Sequence, residues 1–79
     1  MKVSFRLFGP LRDRFGPPDL RSQELAAPAT VESSLAALGW LDRVRETKVA
    51  VAVNGELASR DRALAEGDVV DLLPPVAGG

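Results

Sequence analysis

The sequence contains no cysteine and no histidine among its 79 residues. Without cysteine, the chain can form neither a disulfide bond nor a thiolate metal site. Without histidine, it lacks the usual general base near neutral pH and a common nitrogen ligand of zinc. These absences argue against a self-contained enzyme, and we expect no metal or cofactor to be bound by this chain.

Long apolar segments and a strong charge bias are also absent. The formal net charge is −1, so the composition does not favour binding to nucleic acid or to an anionic membrane. No stretch of about 20 apolar residues is present to span a bilayer. The first residues, Met1 to Arg6, are charged too early for a signal peptide. We therefore expect a cytoplasmic protein with neither nucleic-acid nor membrane partners.

The composition that is present is typical of a globular domain, with 46% hydrophobic and 27% charged residues. A chain of this length buries only about 60–65% of its unfolded surface, which allows one modest core and no deep active site. We predict one domain over residues 1–75, followed by a flexible tail over residues 76–79.

Alternating apolar residues predict strands near both ends of the domain. Val3, Phe5 and Leu7 alternate with polar residues, which is the period of a half-buried strand. Residues 69–73 predict the last strand, and residues 19–25 predict a second, edge-like strand.

One helix is predicted between these strands. Thr30 is a good N-cap, an apolar stripe runs from Val31 to Leu38, and Gly39 suits the end of a helix. Residues 40–46 are compatible with a loop or with one extra helical turn.

The remaining segment predicts a hairpin. Residues 49–53 alternate valine with alanine, Asn54-Gly55 is a strong turn signal, and a short return strand follows. The full order fits an α+β, β-grasp (ubiquitin-like) fold, with a mixed sheet packed on one main helix. In that fold the first and last strands usually lie side by side at the centre of the sheet.

Strand periodicity also predicts an exposed apolar patch. If Asp71 faces solvent, Leu73 faces the same side of the sheet. Phe8 follows the inward-facing Leu7 and should point outward, and Leu57 is a candidate for the same face. An apolar patch on so small a domain indicates a partner surface, whereas scattered surface apolar residues are the alternative.

The acidic residues Glu66, Asp68 and Asp71 offer a second candidate site. They could coordinate a cation or meet basic residues of a partner. A turn with flanking surface carboxylates is the simpler interpretation.

The end of the chain is its most specific feature. Pro74-Pro75 should end the last strand and keep the base of the tail semi-rigid. Gly78 and Gly79 have no side chains and can thread a narrow channel, although two terminal glycines occur by chance in roughly one chain in 200. Residues 76–79 reach roughly 13–14 Å when extended. The Gly79 carboxylate could be adenylated and then attacked by sulfide, whereas a frayed surface terminus is the alternative.

Several segments match a known family in order and spacing. They are Leu7-Phe8-Gly9-Pro10-Leu11-Arg12-Asp13 with Gly16, Thr30-Val31-Glu32, Val53-Asn54-Gly55, Leu64, Glu66-Gly67-Asp68-Val69-Val70 and Leu73-Pro74-Pro75-Val76-Ala77-Gly78-Gly79. On these segments the chain resembles the MoaD family, the small sulfur-carrier subunits of molybdopterin synthases, within the wider family shared with the thiamine-pathway sulfur carriers. Asp13 and Leu73 depart from the family pattern, which usually has glutamate and often an aromatic residue at those positions.

The resemblance implies a non-catalytic, sulfur-donating subunit. A ubiquitin-activating-like adenylyltransferase would adenylate the Gly79 carboxylate with ATP, and sulfur would convert it to a thiocarboxylate. The tail, Val76, Ala77, Gly78 and Gly79, would enter the large catalytic subunit, where sulfur builds the dithiolene of molybdopterin from cyclic pyranopterin monophosphate. The family's synthase is a heterotetramer. The partner-binding residues implied are Phe8, Arg12, Leu57, Leu73, Pro74 and Pro75.

Three other functions stay open at this point. The chain could carry sulfur for the thiamine thiazole or for a thiolated tRNA base. It could be a ubiquitin-like modifier joined to lysine side chains. It could also be an interaction domain without tail chemistry.

Overall fold

Residues 1–9, 11 and 20–74 are described by the computed structural model. Within them the chain forms a five-stranded sheet in the order β2-β1-β5-β3-β4, together with two helices. Neither helix is long and apolar enough to cross a bilayer. The elements are β1 (Lys2–Leu7), β2 (Leu20–Glu24), α1 (Val31–Leu38), α2 (Leu41–Thr47), β3 (Ala50–Val53), β4 (Glu56–Leu57) and β5 (Val69–Leu73).

The centre of the sheet is the parallel pair of β1 and β5. Their register runs from Ser4 opposite Val69 to Leu7 opposite Leu72. β2 joins β1 antiparallel at one edge, and β3 joins β5 antiparallel on the other side. The mixed β-grasp sheet, its central first and last strands and its edge-like second strand are therefore confirmed.

The inner face of the sheet forms the core with the two helices. Phe5, Val70 and Leu72 are fully buried, as the alternation predicts. Val31 and Leu35 of α1 are also fully buried. The apolar stripe of α1 therefore packs with the central strands in one core.

Helix α1 begins and ends at the predicted residues. The Ser33 backbone N–H donates to Thr30 Oγ1 (3.1 Å), and the Thr30 N–H donates to Ser33 Oγ (2.8 Å). This reciprocal capping box satisfies two amides at the helix start. Gly39 then adopts φ 78°, a left-handed conformation that ends the helix at little steric cost.

A second helix, α2, occupies the segment that the sequence left open between a loop and an extra turn. Trp40 and Val44 are buried at its start and centre. The Trp40 ring meets Phe5 edge-on, with centroids 6.2 Å apart and an interplanar angle of 86°. Tertiary packing of these two positions stabilises a helix that is too short to form alone.

The hairpin between β3 and β4 has the predicted turn. Asn54 and Gly55 have φ values of 52° and 87°, as a two-residue turn with both central residues left-handed requires. Asn54 Oδ1 also accepts the Val69 N–H at 2.9 Å, and its amide donates to Asp68 Oδ1 at 2.9 Å. The hairpin is thereby tied to the start of β5.

Asp68 makes the turn before β5 sensitive to acid. Its carboxylate accepts the Ala65 N–H at 2.8 Å and the Asn54 amide at 2.9 Å. Both hydrogen bonds favour the charged carboxylate and lower the pKa of Asp68 below its ordinary value, and the bond from Ala65 has the larger effect. Because the pKa is lower in the folded state, the stabilisation is complete above the unfolded pKa of about 3.9. It is lost as pH falls through the folded pKa.

Asp68→Asn is expected to lower the free energy of unfolding by about 1 kcal/mol at pH 7, a value reduced by solvent screening. Urea unfolding at pH 7 and at about pH 3 measures the difference from wild type, which should narrow in acid as the wild-type carboxyl becomes protonated. Glu46→Gln removes an exposed carboxylate of α2 and serves as the control, with an expected change below about 0.5 kcal/mol. If Asp68→Asn lowered the free energy of unfolding equally at both pH values, the Asp68 carboxylate would not be the source of the acid sensitivity.

Candidate functional site

The outer face of the sheet, opposite the helices, carries the predicted partner residues. Arg6, Asp71, Ala52 and Leu57 lie opposite one another across β1, β5, β3 and β4. Directly paired residues project from the same face. Phe8 lies two residues beyond Arg6, so its side chain projects from this face as well.

A second row of outer-face residues lies nearer the end of β5. Leu73 is paired with Ala50 of β3. The Phe8 N–H donates to the Leu72 carbonyl at 3.2 Å, which continues the parallel register and places Phe8 beside Leu73. We call Phe8, Leu57 and Leu73 the outer patch. The structure thus brings these three predicted residues to one face, and their role in binding stays a prediction.

The outer patch differs in exposure from residue to residue. Phe8 is 38% exposed and Leu57 is 79% exposed, and they are the exposed large hydrophobic residues of the described chain. Leu73 is half-buried. Phe8 and Leu57 therefore offer most of the apolar surface on this face that a partner could cover.

Asp71 corrects the expectation that it faces solvent. It lies on the outer face, yet it is only 6% exposed. Arg6 covers it with a two-pronged ion pair, in which Nε lies 2.6 Å from Oδ1 and Nη2 lies 2.9 Å from Oδ2. Strand periodicity assigns a residue to a face of the sheet. It does not show that a long side chain from a neighbouring strand covers that residue.

The base of the tail lies against the start of the outer patch. Gly9 has φ 59°, and a Cβ there would lie 3.8 Å from Cγ of Pro74. The Leu11 N–H donates to the Phe8 carbonyl at 3.3 Å, and the Leu11 side chain is buried in the core. The chain therefore turns sharply at Gly9, and β5 ends beside that turn.

The last strand ends beside Phe8, and the described chain continues to Pro74. β5 ends at Leu73, directly before Pro74, as expected of a residue without a backbone N–H. The other predicted site residues lie outside the described residues: Arg12, Pro75, Val76, Ala77, Gly78 and Gly79.

The three carboxylates of the acidic segment serve separate structural purposes. Glu66 Oε1 accepts the Lys2 N–H at 3.0 Å, Asp68 holds its own turn, and Asp71 pairs with Arg6. Over residues 1–9, 11 and 20–74, no group of three acidic, histidine or cysteine side chains is arranged to hold a metal ion. These contacts favour the simpler interpretation, a turn with flanking carboxylates.

A groove of about 580 Å³ lies between the end of α2 and strands β3 and β4. Its described lining is apolar apart from Ser59 and three cations, Arg45, Lys48 and Arg60. The described lining includes no carboxylate, histidine or cysteine. These residues offer hydrogen-bond donors and positive charge, but no acid–base pair for catalysis.

The sequence interpretation missed two features of the outer face. Ala50 and Ala52 have small side chains and are paired with Leu73 and Leu57, so the outer face is shallow beside those two leucines. The valine–alanine alternation of residues 49–53 was the available signal for this shallow region. Arg6 is engaged within the chain by Asp71, and strand periodicity offers no signal for this pair.

The solved structures similar to this chain are small proteins of the same fold. A Pyrococcus furiosus protein assigned as molybdopterin converting factor subunit 1 is 30% identical, with a TM-score of 0.81 over 96% of this chain and 99% of that one. SAMP1 from Haloferax volcanii is 29% identical, with a TM-score of 0.79 over 100% of both chains. A complex of subunits 1 and 2 of molybdopterin-converting factor from Helicobacter pylori gives 29% identity and a TM-score of 0.69, over 100% of both chains.

The sequence comparisons lead to the same group of proteins. No curated protein matches the chain. The model of the ThiS family matches residues 5–79, which include the outer patch, the second half of β1, the whole of β5 and the Gly-Gly ending. The match covers nearly the whole chain, and the solved relatives share its fold. The chain therefore belongs to the ThiS family of β-grasp proteins, together with the MoaD-like proteins that its sequence resembles.

Proposed function

We propose that this chain is a sulfur carrier of molybdopterin synthesis. The Gly79 carboxylate is adenylated and converted to a thiocarboxylate, and its sulfur is donated within a molybdopterin synthase to form the dithiolene. The observation that carries this proposal is the exit of β5, which leaves the centre of the sheet at Pro74, beside Gly9 and Phe8. The Gly-Gly ending thus follows, after a few residues, a central strand that borders the outer patch.

The chemistry needs little from the carrier itself. A carboxylate is a poor electrophile, so a partner enzyme transfers AMP from ATP to one carboxylate oxygen of Gly79 and releases pyrophosphate. Sulfide then attacks the carbonyl carbon and expels AMP, which leaves a thiocarboxylate. The sulfur of the thiocarboxylate bonds to the pterin, and water then hydrolyses the bond between the Gly79 acyl carbon and that sulfur. The sulfur stays on the pterin, and the oxygen of water restores the Gly79 carboxylate. Because a dithiolene contains two sulfur atoms, the synthesis of each molybdopterin consumes two thiocarboxylated carriers.

The described residues support a carrier whose fold serves for docking. β5 is held between β1 and β3, so the sheet fixes the position from which the chain continues beyond Pro74. Gly78 and Gly79 add no side chain that would block a narrow channel. The folded domain thus supplies the docking surface, and the reacting carboxylate belongs to the last residue of the sequence.

Two partners follow from this proposal. The Helicobacter pylori complex contains subunits 1 and 2 of molybdopterin-converting factor, which supports a large synthase subunit as the partner of the outer patch. A ubiquitin-activating-like adenylyltransferase is the second partner, because the chain lacks an ATP-binding motif of its own. The catalytic side chains belong to these two partners.

A second candidate function is supported by the likeness to SAMP1, a small archaeal modifier protein that matches the full chain at 29% identity. In that case the activated Gly79 carboxylate would be captured by a lysine amine instead of sulfide, giving an isopeptide bond. Two further candidate functions are compatible with the ThiS family match. The chain would carry sulfur for the thiamine thiazole in one, and for a thiolated tRNA base in the other.

Capture of partners with an N-terminally tagged chain separates these functions. We expect the chain to bring down a pterin-binding large subunit that makes molybdopterin from cyclic pyranopterin monophosphate once Gly79 is thiocarboxylated. The matched control is Phe8→Arg, which should lose that subunit. Capture of a thiazole synthase would redirect the carrier to thiamine, and a tRNA-thiolating enzyme would redirect it to tRNA. Gly79 found by mass spectrometry in isopeptide bonds to lysine would establish the modifier.

A further inference from the structure

The Arg6 side chain bridges two residues of the outer face. Its Nε and Nη2 atoms lie 2.6 and 2.9 Å from the two carboxylate oxygens of Asp71. Its guanidinium carbon lies 5.3 Å from the centroid of the Phe8 ring. The ion pair joins β1 to β5, and the ring contact links that pair to Phe8, the aromatic residue of the outer patch.

The Asp71 carboxylate determines where the guanidinium can lie. Its side chain is only 9% exposed, whereas that of Arg6 is 49% exposed. A planar guanidinium held by two parallel hydrogen bonds cannot rotate out of its plane without losing one of them. Arg6 is therefore a fixed cation, and the Phe8 ring lies against it.

Phe8 lies where the regular strand ends. It follows the last residue of β1 and is 38% exposed, and the backbone turns at the left-handed Gly9. An aromatic side chain at such a position must be ordered when a partner covers it, and that ordering costs part of the binding free energy. A contact that orders the ring beforehand lowers this cost.

We infer that Arg6 is a positioning residue that holds the Phe8 ring in its docking orientation, with Asp71 as the anchor of Arg6. The part of this inference that concerns docking rests on the proposed function. The position of the Phe8 ring rests on the contacts within the free chain. It also explains why a charged pair lies within an apolar docking face. The pair is neutral as a unit, and it orients the aromatic residue beside it.

Binding to the large subunit tests the inference with Arg6→Lys. The ammonium group keeps a positive charge near Asp71, so folding is maintained. It cannot form the two-pronged pair that fixes the position of the charge beside the ring. We expect the Kd to rise about two- to fivefold, the value of one exposed cation–π contact. In a Phe8→Ala background the same substitution should change the Kd by less than about 1.5-fold, because the residue being positioned is gone. Lys2→Met removes an exposed cation from the same strand and face, and it is the control for charge alone.

The free chain gives an independent readout. In wild type, NMR coupling constants should show one dominant χ1 rotamer for Phe8, and the Arg6 Nε–H resonance should carry a ring-current shift. Arg6→Lys should leave Phe8 averaged over rotamers, and Phe8→Leu should abolish the Arg6 shift.

The two readouts separate failure of the inference from failure of the proposed function. An unchanged Phe8 rotamer distribution in Arg6→Lys would overturn the inference, whatever the partner proves to be. So would an equal loss of affinity from Arg6→Lys with and without Phe8, since Arg6 would then touch the partner directly. If Phe8→Ala leaves the Kd unchanged while the rotamer readout holds, the positioning stands and the assigned docking face is wrong.

Discussion

Deletion of Gly79 is expected to abolish sulfur transfer while the fold stays intact. The proposed reaction takes place at the terminal carboxylate, and removal of one residue withdraws that group by roughly 3.5 Å from the reacting atoms. A displacement of this size removes the orientation on which transfer depends. Molybdopterin formation in a system reconstituted with the large subunit, the adenylyltransferase, ATP and sulfide should fall to the level seen without any carrier.

The same variant contains its own controls. Gly79 lies beyond β5, whose last residue is Leu73, so the free energy of unfolding should change by less than about 0.5 kcal/mol. Affinity for the large subunit should persist, because the outer patch is unchanged. Molybdopterin formation at the wild-type rate by the truncated chain would refute the carrier mechanism.

Phe8→Arg is expected to weaken binding to the large subunit by about 2–4 kcal/mol, which is roughly a 30- to 700-fold increase in Kd. The substitution removes the aromatic anchor of the outer patch. It also places a second guanidinium beside that of Arg6, which lies 5.3 Å from the Phe8 ring centroid, and like charges there oppose burial by a partner. Isothermal titration calorimetry with the purified subunit measures the change.

Ala36→Arg provides the matched control for this loss. It adds the same charge to an exposed position of α1, on the opposite side of the sheet, and it should leave the Kd within about twofold. An unchanged Kd for Phe8→Arg would show that the partner binds elsewhere. In that event the pairing register would still place Phe8 on the outer face, and only the role of that face would be wrong.

These two variants separate chemistry from docking. The chain without Gly79 should bind the large subunit and deliver no sulfur. Phe8→Arg should accept sulfur at Gly79 and bind the large subunit poorly. If both variants failed at the same step, the division of the molecule into a docking domain and a reactive tail would be mistaken.

The central strands were predictable because their residues follow simple physical rules. Val3, Phe5 and Leu7 alternate with polar residues, and β1 forms with those three side chains buried. Thr30 and Gly39 mark the ends of α1 because one satisfies free amides and the other adopts a left-handed φ.

The features that were missed depend on contacts between distant parts of the chain. Helix α2 has too few apolar residues to be identified locally, and it exists because Trp40 and Val44 pack into the core. Asp71 is buried by Arg6, a residue 65 positions away in sequence. Periodicity assigns a side chain to a face, whereas burial depends on which neighbours cover that face.

The candidate site was predictable in outline for the same reason. Parity predicted that Phe8 and Leu73 share the outer face, and Leu57 was a candidate for it. The strand pairing places all three residues on that face. Parity did not reveal that a neutralised ion pair lies between Phe8 and Leu57, since the pair is visible only once β1 and β5 are aligned.

The intact mass of the chain after treatment with the adenylyltransferase, ATP and a sulfur source tests the central proposal most directly. We predict a gain of about 16 Da, the excess of sulfur over oxygen, located at Gly79 by fragmentation and absent when ATP is omitted. The chain without Gly79 is the matched control and should show no such gain. An unchanged mass for the full chain, with active adenylyltransferase present, would contradict its role as a sulfur carrier.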